Sequence, residues 1–175
     1  MKNKKSLLKI TNTAIFTAII MLCTMLIKFS TGLGEGYIHF GDCFIYLTAC
    51  ILPFPYCLVA SALGGALADI LGGYIVWAIP TAIIKTLISL PFVLVCKNNK
   101  SNKILYKKVV FMLFVSGTIS ILGYFVAECI LYSVASATLS IIGNTIQAVT
   151  SGFLFIIIAT ALDKMNFKSR VFKGV

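Results

Sequence analysis

Four stretches of the chain stay apolar over the thickness of a lipid bilayer: Ile10 to Ile27, Ile79 to Cys96, Val109 to Tyr132 and about Thr138 to Leu162. A helix crossing a membrane needs about 20 such residues, because hydrocarbon offers the backbone no hydrogen-bond partner outside its own helix. Continuous runs of this length, without the two-residue alternation of a barrel strand, predict α-helices. The composition of the whole chain agrees, with 59% hydrophobic and 11% charged residues against about 25% charged in soluble domains. The reading is an all-α membrane protein forming one integral domain over residues 1–175, with no room for a soluble domain. The apolar run behind Met1-Lys2-Asn3-Lys4-Lys5 outlasts a secretory signal core and lacks a small-residue cleavage pattern, so it is expected to remain as the first span.

Hydropathy alone leaves Cys43 to Leu71 open, since it reads as one long helix or as two short ones parted by Pro53-Phe54-Pro55. Charge parity decides between them. Lys2, Lys4, Lys5 and Lys9 place the N-terminus on the cytoplasmic side, and Lys97, Lys100, Lys103, Lys107 and Lys108 place that loop there too. An even number of spans must separate two segments on the same side, so the proline pair is a turn. Two further spans return Lys164, Lys168, Arg170 and Lys173 to the cytoplasm, and thirteen of the fifteen basic residues then lie inside, all but Lys28 and Lys85. The expectation is a six-transmembrane-helix bundle with both termini cytoplasmic and spans at about 10–28, 42–53, 56–71, 79–96, 109–132 and 138–162. The charge of +10 is thereby explained by topology and does not call for a nucleic-acid partner. The six cysteines show neither zinc-ligand spacing nor a disulfide framework and read as small buried thiols.

The outer connections fall at about Lys28 to Gly41, Gly72 to Trp77 and Tyr132 to Ala137. The first is long and glycine-rich and carries Glu35, His39 and Asp42, which makes it the candidate lid. Tyr37, Tyr74, Trp77 and Tyr132 mark the outer boundary as an aromatic belt does. In span three, Ala60, Gly64 and Ala68 stand four apart, a spacing that permits close helix contact in lipid.

Polar side chains within a bilayer are costly and face a protein interior or a water-filled cavity. Lys85 lies six residues below Ile79, roughly 9 Å at 1.5 Å per residue, and shares a face with Thr81 and Ser89. Ser116, Ser120, Tyr124 and Glu128 form a ridge on span five, while Ser140, Asn144, Gln147 and Ser151 form a stripe on span six. Asn144 and Gln147 fall roughly 9 to 14 Å below the outer start of their span. Three helices therefore turn polar faces inward at similar depth in the outer half of the membrane, as a pocket for a small polar ligand requires. Lys85, Glu128, Asn144 and Gln147 are the candidate polar contacts, and Tyr74, Trp77 and Tyr124 the candidate ring-packing residues. Bland readings stand beside these: a Lys85–Glu128 pair, helix-joining roles for Asn144 and Gln147, capping or helix-end roles for Asp42 and Asp69, and interface anchoring by Tyr74 and Trp77. His39, a lone histidine, indicates no metal site.

No GxxxxGK[ST], HExxH or GxSxG pattern occurs, so neither ATP hydrolysis through a P-loop nor an intramembrane enzyme is indicated. Six spans are also few for an inverted-repeat carrier. The segment Gly36 to Leu87 resembles the substrate-specific S components of energy-coupling factor (ECF) vitamin transporters, particularly the riboflavin-transporter-like group. The likeness rests on Gly36-Tyr37-Ile38 with Gly41-Asp42, on Gly64-Gly65 leading to Ala66-Leu67-Ala68-Asp69, and on Gly73-Tyr74, Trp77-Ala78, Pro80-Thr81 and Ile84-Lys85. Pro53-Phe54-Pro55 departs from the Gly-Pro turn common in that family.

The resemblance implies a binding subunit that takes a vitamin or precursor (riboflavin, pyridoxine, hydroxymethylpyrimidine or similar) near the outer face of the plasma membrane. It implies a transmembrane coupling protein and two ATPase subunits as partners, with release by toppling of the whole subunit. The family's AxxxA docking motif matches Ala14 and Ala18 in span one. No cofactor is expected. A solitary facilitator and a structural or regulatory membrane protein are the alternatives.

Overall fold

Each apolar run forms a helix, and the breaks fall where local chemistry stops one. The computed structural model describes residues 2–26, 28–30, 37–97 and 103–171, with side chains for 5–26, 39–97 and 103–170. Helix α1 (Lys2–Met25) starts eight residues before the apolar run, since nothing in the lysine-rich segment breaks a helix. It leads into a two-stranded antiparallel ribbon, β1 (Lys28–Ser30) and β2 (Tyr37–His39), in the register Lys28 to His39 and Ser30 to Tyr37. The all-helical expectation missed this ribbon because three-residue strands are too short for a readable two-residue alternation.

The ambiguous stretch is two helices, α2 (Gly41–Ile51) and α3 (Tyr56–Leu71), parted by the Leu52–Pro55 turn. After α3, Gly73 takes φ +87°, a left-handed conformation that suits glycine. A single 3₁₀ turn (Ile75–Trp77) then enters α4 (Ala78–Lys97). Helix α5 (Lys107–Leu131) is followed by Ser133, whose side chain accepts the Ser136 N–H at 3.2 Å and caps α6 (Val134–Lys164). A short α7 (Phe167–Val171) closes the described chain. Four of these segments are long and apolar enough to cross a membrane, beginning at Lys5, Ile75, Lys107 and Val134, and α2 and α3 are shorter apolar helices.

Helix α2 sits in the middle. Of its residues only Phe44 is not buried, and it packs on α1, α3, α4 and α6. A helix apolar on nearly every side suits such a position, surrounded by other helices rather than by water. Tyr46 of α2 stacks on Phe92 of α4 at 4.8 Å, and Phe155 of α6 meets both rings edge-on at 6.0 and 5.7 Å. At the lysine-rich end, both carboxylate oxygens of Asp163 accept backbone N–H groups, Ile104 at 2.7 Å and Leu105 at 2.9 Å, which ties α6 to the segment entering α5.

Helix α3 is clasped between α1 and α4 through its small residues. A Cβ on Gly64 would stand 2.7 Å from Ile20 Cγ2 and 3.1 Å from the Thr17 carbonyl oxygen, and one on Gly65 would stand 2.8 Å from Lys85 Cγ. Gly64→Val is therefore expected to force α1 and α3 apart and destabilise the bundle by about 1–3 kcal/mol. Thermal unfolding in detergent, followed by tryptophan fluorescence, measures this; an unchanged midpoint would contradict the packing described.

Candidate functional site

The polar groups of the bundle converge where the ribbon, the 3₁₀ turn and the α5–α6 connection lie. Their foundation is an ion pair. Lys85 Nζ of α4 is 2.5 Å from Asp42 Oδ1 of α2, and both side chains are 0% exposed. Gln147 of α6 donates its amide to Asp42 Oδ2 at 2.9 Å, so three helices meet on one carboxylate. His39 Nδ1 accepts the Gly41 N–H at 3.1 Å, and its Nε2 lies 3.4 Å from Lys85 Nζ. Burial first, and then the charge of Lys85, lowers the His39 pKa to about 3, so its imidazole is neutral. Lys85 Nζ is also 5.1 Å from the centre of the Tyr124 ring.

Above this floor is a cavity of about 50 Å³. Thr24 reaches it from the end of α1, His39 from β2 and Asp69 from the end of α3. Tyr74, Trp77 and Thr81 come from the turn and start of α4, Tyr124 and Glu128 from α5, and Asn144 and Gln147 from α6. Trp77 is fixed by its Nε1–H, which donates to Tyr132 Oη at 3.2 Å, and its ring lies 6.0 Å from those of Tyr124 and Tyr132. Asp69 and Glu128 are 4% and 2% exposed. The larger concavities along α4–α5 and α5–α6 are open and almost wholly apolar, with surfaces suited to lipid.

Glu128, Asn144, Gln147, Tyr74, Trp77 and Tyr124 are thus brought to one cavity, and Lys85 lies beneath it. The alternative of a Lys85–Glu128 pair is corrected. The partner of Lys85 is Asp42, because α2 occupies the bundle centre and faces α4 there. The capping reading of Asp42 is corrected too. The N-cap is Phe40 with no side-chain bond, and the Asp42 oxygens go to Lys85 and Gln147. Asp42 belongs to α2 and is buried in the floor with His39, so neither is an exposed loop group; Glu35 lies outside the described residues. Sequence reasoning passed over Thr24 as a lining residue and placed Asp69 as a helix end. The signal for both was available, since each is a polar residue within one turn of the same end of an apolar helix.

Removing one charge from a buried pair strands the other. Asp42→Asn is expected to cost about 3–5 kcal/mol in folding stability, and Lys85→Met added to it to recover most of that loss. Thermal unfolding of both variants checks this, and a single variant as stable as the parent would mean that the pair does not hold these helices.

Comparison with known proteins places the chain. The family model for the ECF-type riboflavin transporter, S component, matches residues 4–164. A protein of Pyrococcus woesei, described as an uncharacterized protein in the gap 3' region, is 28% identical over 131 residues, covering 75% of this chain and 85% of that one.

Proposed function

The chain belongs to the ECF-type riboflavin transporter S component family, and from that premise we propose that it captures a small water-soluble vitamin or precursor at the ribbon end of the bundle. S components are the substrate-binding membrane subunits of vitamin transporters, and riboflavin, pyridoxine and hydroxymethylpyrimidine are compounds of the right kind. In this reading α1 to α6 are six spans in the plasma membrane, with the lysine-rich end and both termini cytoplasmic. Ligand enters from outside.

The observation that carries the proposal is the convergence of six independently nominated side chains on one cavity with a closed ionic floor. Glu128, Asn144 and Gln147 bond the ligand, Tyr74, Trp77 and Tyr124 pack on its ring, and Lys85 holds the floor through Asp42. Vitamin-sized ligands occupy pockets of roughly 300–1,000 Å³, so a cavity of about 50 Å³ widens on binding. In this reading the ribbon gives way ahead of His39, which with Asp42 is bonded into the floor and stays in place.

The chain has no P-loop, so import depends on partners: a transmembrane coupling protein and two ATPases. Ala14 and Ala18 lie one helical turn apart on α1, exposed to a partner. Replacing both with tryptophan is expected to lower vitamin uptake by at least about tenfold, while ligand affinity of the purified subunit stays within about twofold, since close helix contact needs small side chains. Uptake in cells co-expressing the coupling module and binding by calorimetry give the two readouts. Undiminished uptake would favour a solitary facilitator, and no binding across a vitamin panel that includes riboflavin would sink the capture reading.

A further inference from the structure

A threonine inside a helix can satisfy its own hydroxyl by donating to the carbonyl oxygen of the preceding turn. Nine threonines of this chain do so, each to the residue four positions back, Thr13 to Lys9 at 2.7 Å and Thr48 to Phe44 at 2.6 Å among them. Thr24, in the last turn of α1, does not, although Ile20 stands four residues back on the same helix. Its Oγ1 is enclosed, in a residue only 1% exposed, and has no hydrogen-bond partner among the described residues. A buried hydroxyl left in this state is costly.

The hydroxyl lies instead against the start of α2. A Cβ on Gly41 would overlap Thr24 Oγ1 and stand 3.2 Å from His39 Nδ1, so the glycine leaves a space that these two atoms border. His39 Nδ1 is already engaged, accepting the Gly41 N–H at 3.1 Å. The Thr24 hydroxyl is the group left over. Thr24 and His39 both line the cavity, and at about 50 Å³ that cavity must widen before it holds a vitamin-sized compound. An atom closed off in the narrow shape gains a partner when the walls part.

We propose that Thr24 is a ligand-binding residue, whose hydroxyl pairs with a polar, hydrogen-bonding substituent of the captured compound once the cavity has widened. The inference rests on the capture reading. A threonine hydroxyl donates one hydrogen bond and accepts others, so a hydroxyl, an amine or a carbonyl on the compound meets its need. The arrangement favours the loaded state twice over: the unpaired hydroxyl raises the free energy of the empty subunit, and its pairing lowers that of the loaded one. Taking the hydroxyl away therefore makes the empty subunit more stable and the binding weaker. A hydroxyl that served the fold alone would give no such opposition.

The test uses the full chain in lipid nanodiscs, titrated by calorimetry with riboflavin, pyridoxine and hydroxymethylpyrimidine, with thermal unfolding of the unliganded protein as the second readout. Thr24→Val keeps the shape of the side chain and removes its hydroxyl. It is expected to bind whichever of the three the parent binds at least about fivefold more weakly. Its unliganded unfolding midpoint is expected to rise by about 2–4 °C. Thr24→Ser, which keeps the hydroxyl, is expected to bind within about threefold of the parent.

A smaller loss of affinity in Thr24→Val would overturn the inference and leave the capture reading intact. An unchanged or lowered midpoint in that variant would overturn it too, since the hydroxyl would then serve the fold. So would binding by Thr24→Ser as weak as by Thr24→Val, which would assign the contact to the methyl group. Binding of none of the three compounds by the parent would overturn both readings.

Discussion

A lysine and an aspartate, fully buried and 2.5 Å apart in the centre of an apolar bundle, set the terms for everything around them. Either charge alone in that position would be intolerable, and the desolvation of both is offset only by close approach and by further hydrogen bonds. The further bonds come from Gln147, with His39 close beside Lys85. The pair thereby specifies the relation of α2 to α4 and α6 more narrowly than apolar packing does, since side chains in hydrocarbon gain little from leaving lipid for protein. Glycines make the approach possible. Gly65 leaves room for the stem of Lys85, and Gly41 leaves room for Thr24 and His39 at the start of α2.

The cavity inherits its geometry from this arrangement. Gln147 is both a wall of the cavity and a ligand of Asp42, and Tyr124 both lines it and stands 5.1 Å from the Lys85 ammonium. A ligand that draws on Gln147 or Tyr124 therefore acts on the floor as well. That coupling joins occupancy of the site to the packing of three helices, and gives a binding subunit a physical means of differing between its empty and loaded states.

Much of this was legible in the residues, and the limits have physical causes. Helical runs in lipid are long and uninterrupted, so four segments were plain from hydropathy, and the Pro53-Phe54-Pro55 break between α2 and α3 followed from lysine placement. That Glu128, Asn144, Gln147 and Tyr124 would meet at one level of the bundle followed from helical phase and from alternating helix directions. The partner of Lys85 did not. Helical phase says which face a residue occupies, whereas the neighbour on that face depends on which helix takes the centre. Helix α2, the shortest of the six, was not marked for that place by its own sequence beyond being apolar on every side. Asp42 looked like a cap for the same reason, sitting one residue into a helix behind a glycine. The ribbon was illegible because its strands are three residues long.

The family, the cavity and the lysine-rich opposite end support one account: a membrane subunit that takes a small polar ring at the ribbon end and releases it through partners. Its most direct test is a structure of the chain determined with the compound that it retains. The account predicts ligand density between Trp77 and Gln147, above an intact Asp42–Lys85 pair, with the ribbon displaced to make room. Density at the lysine-rich end, or in the apolar grooves beside α5, would contradict it.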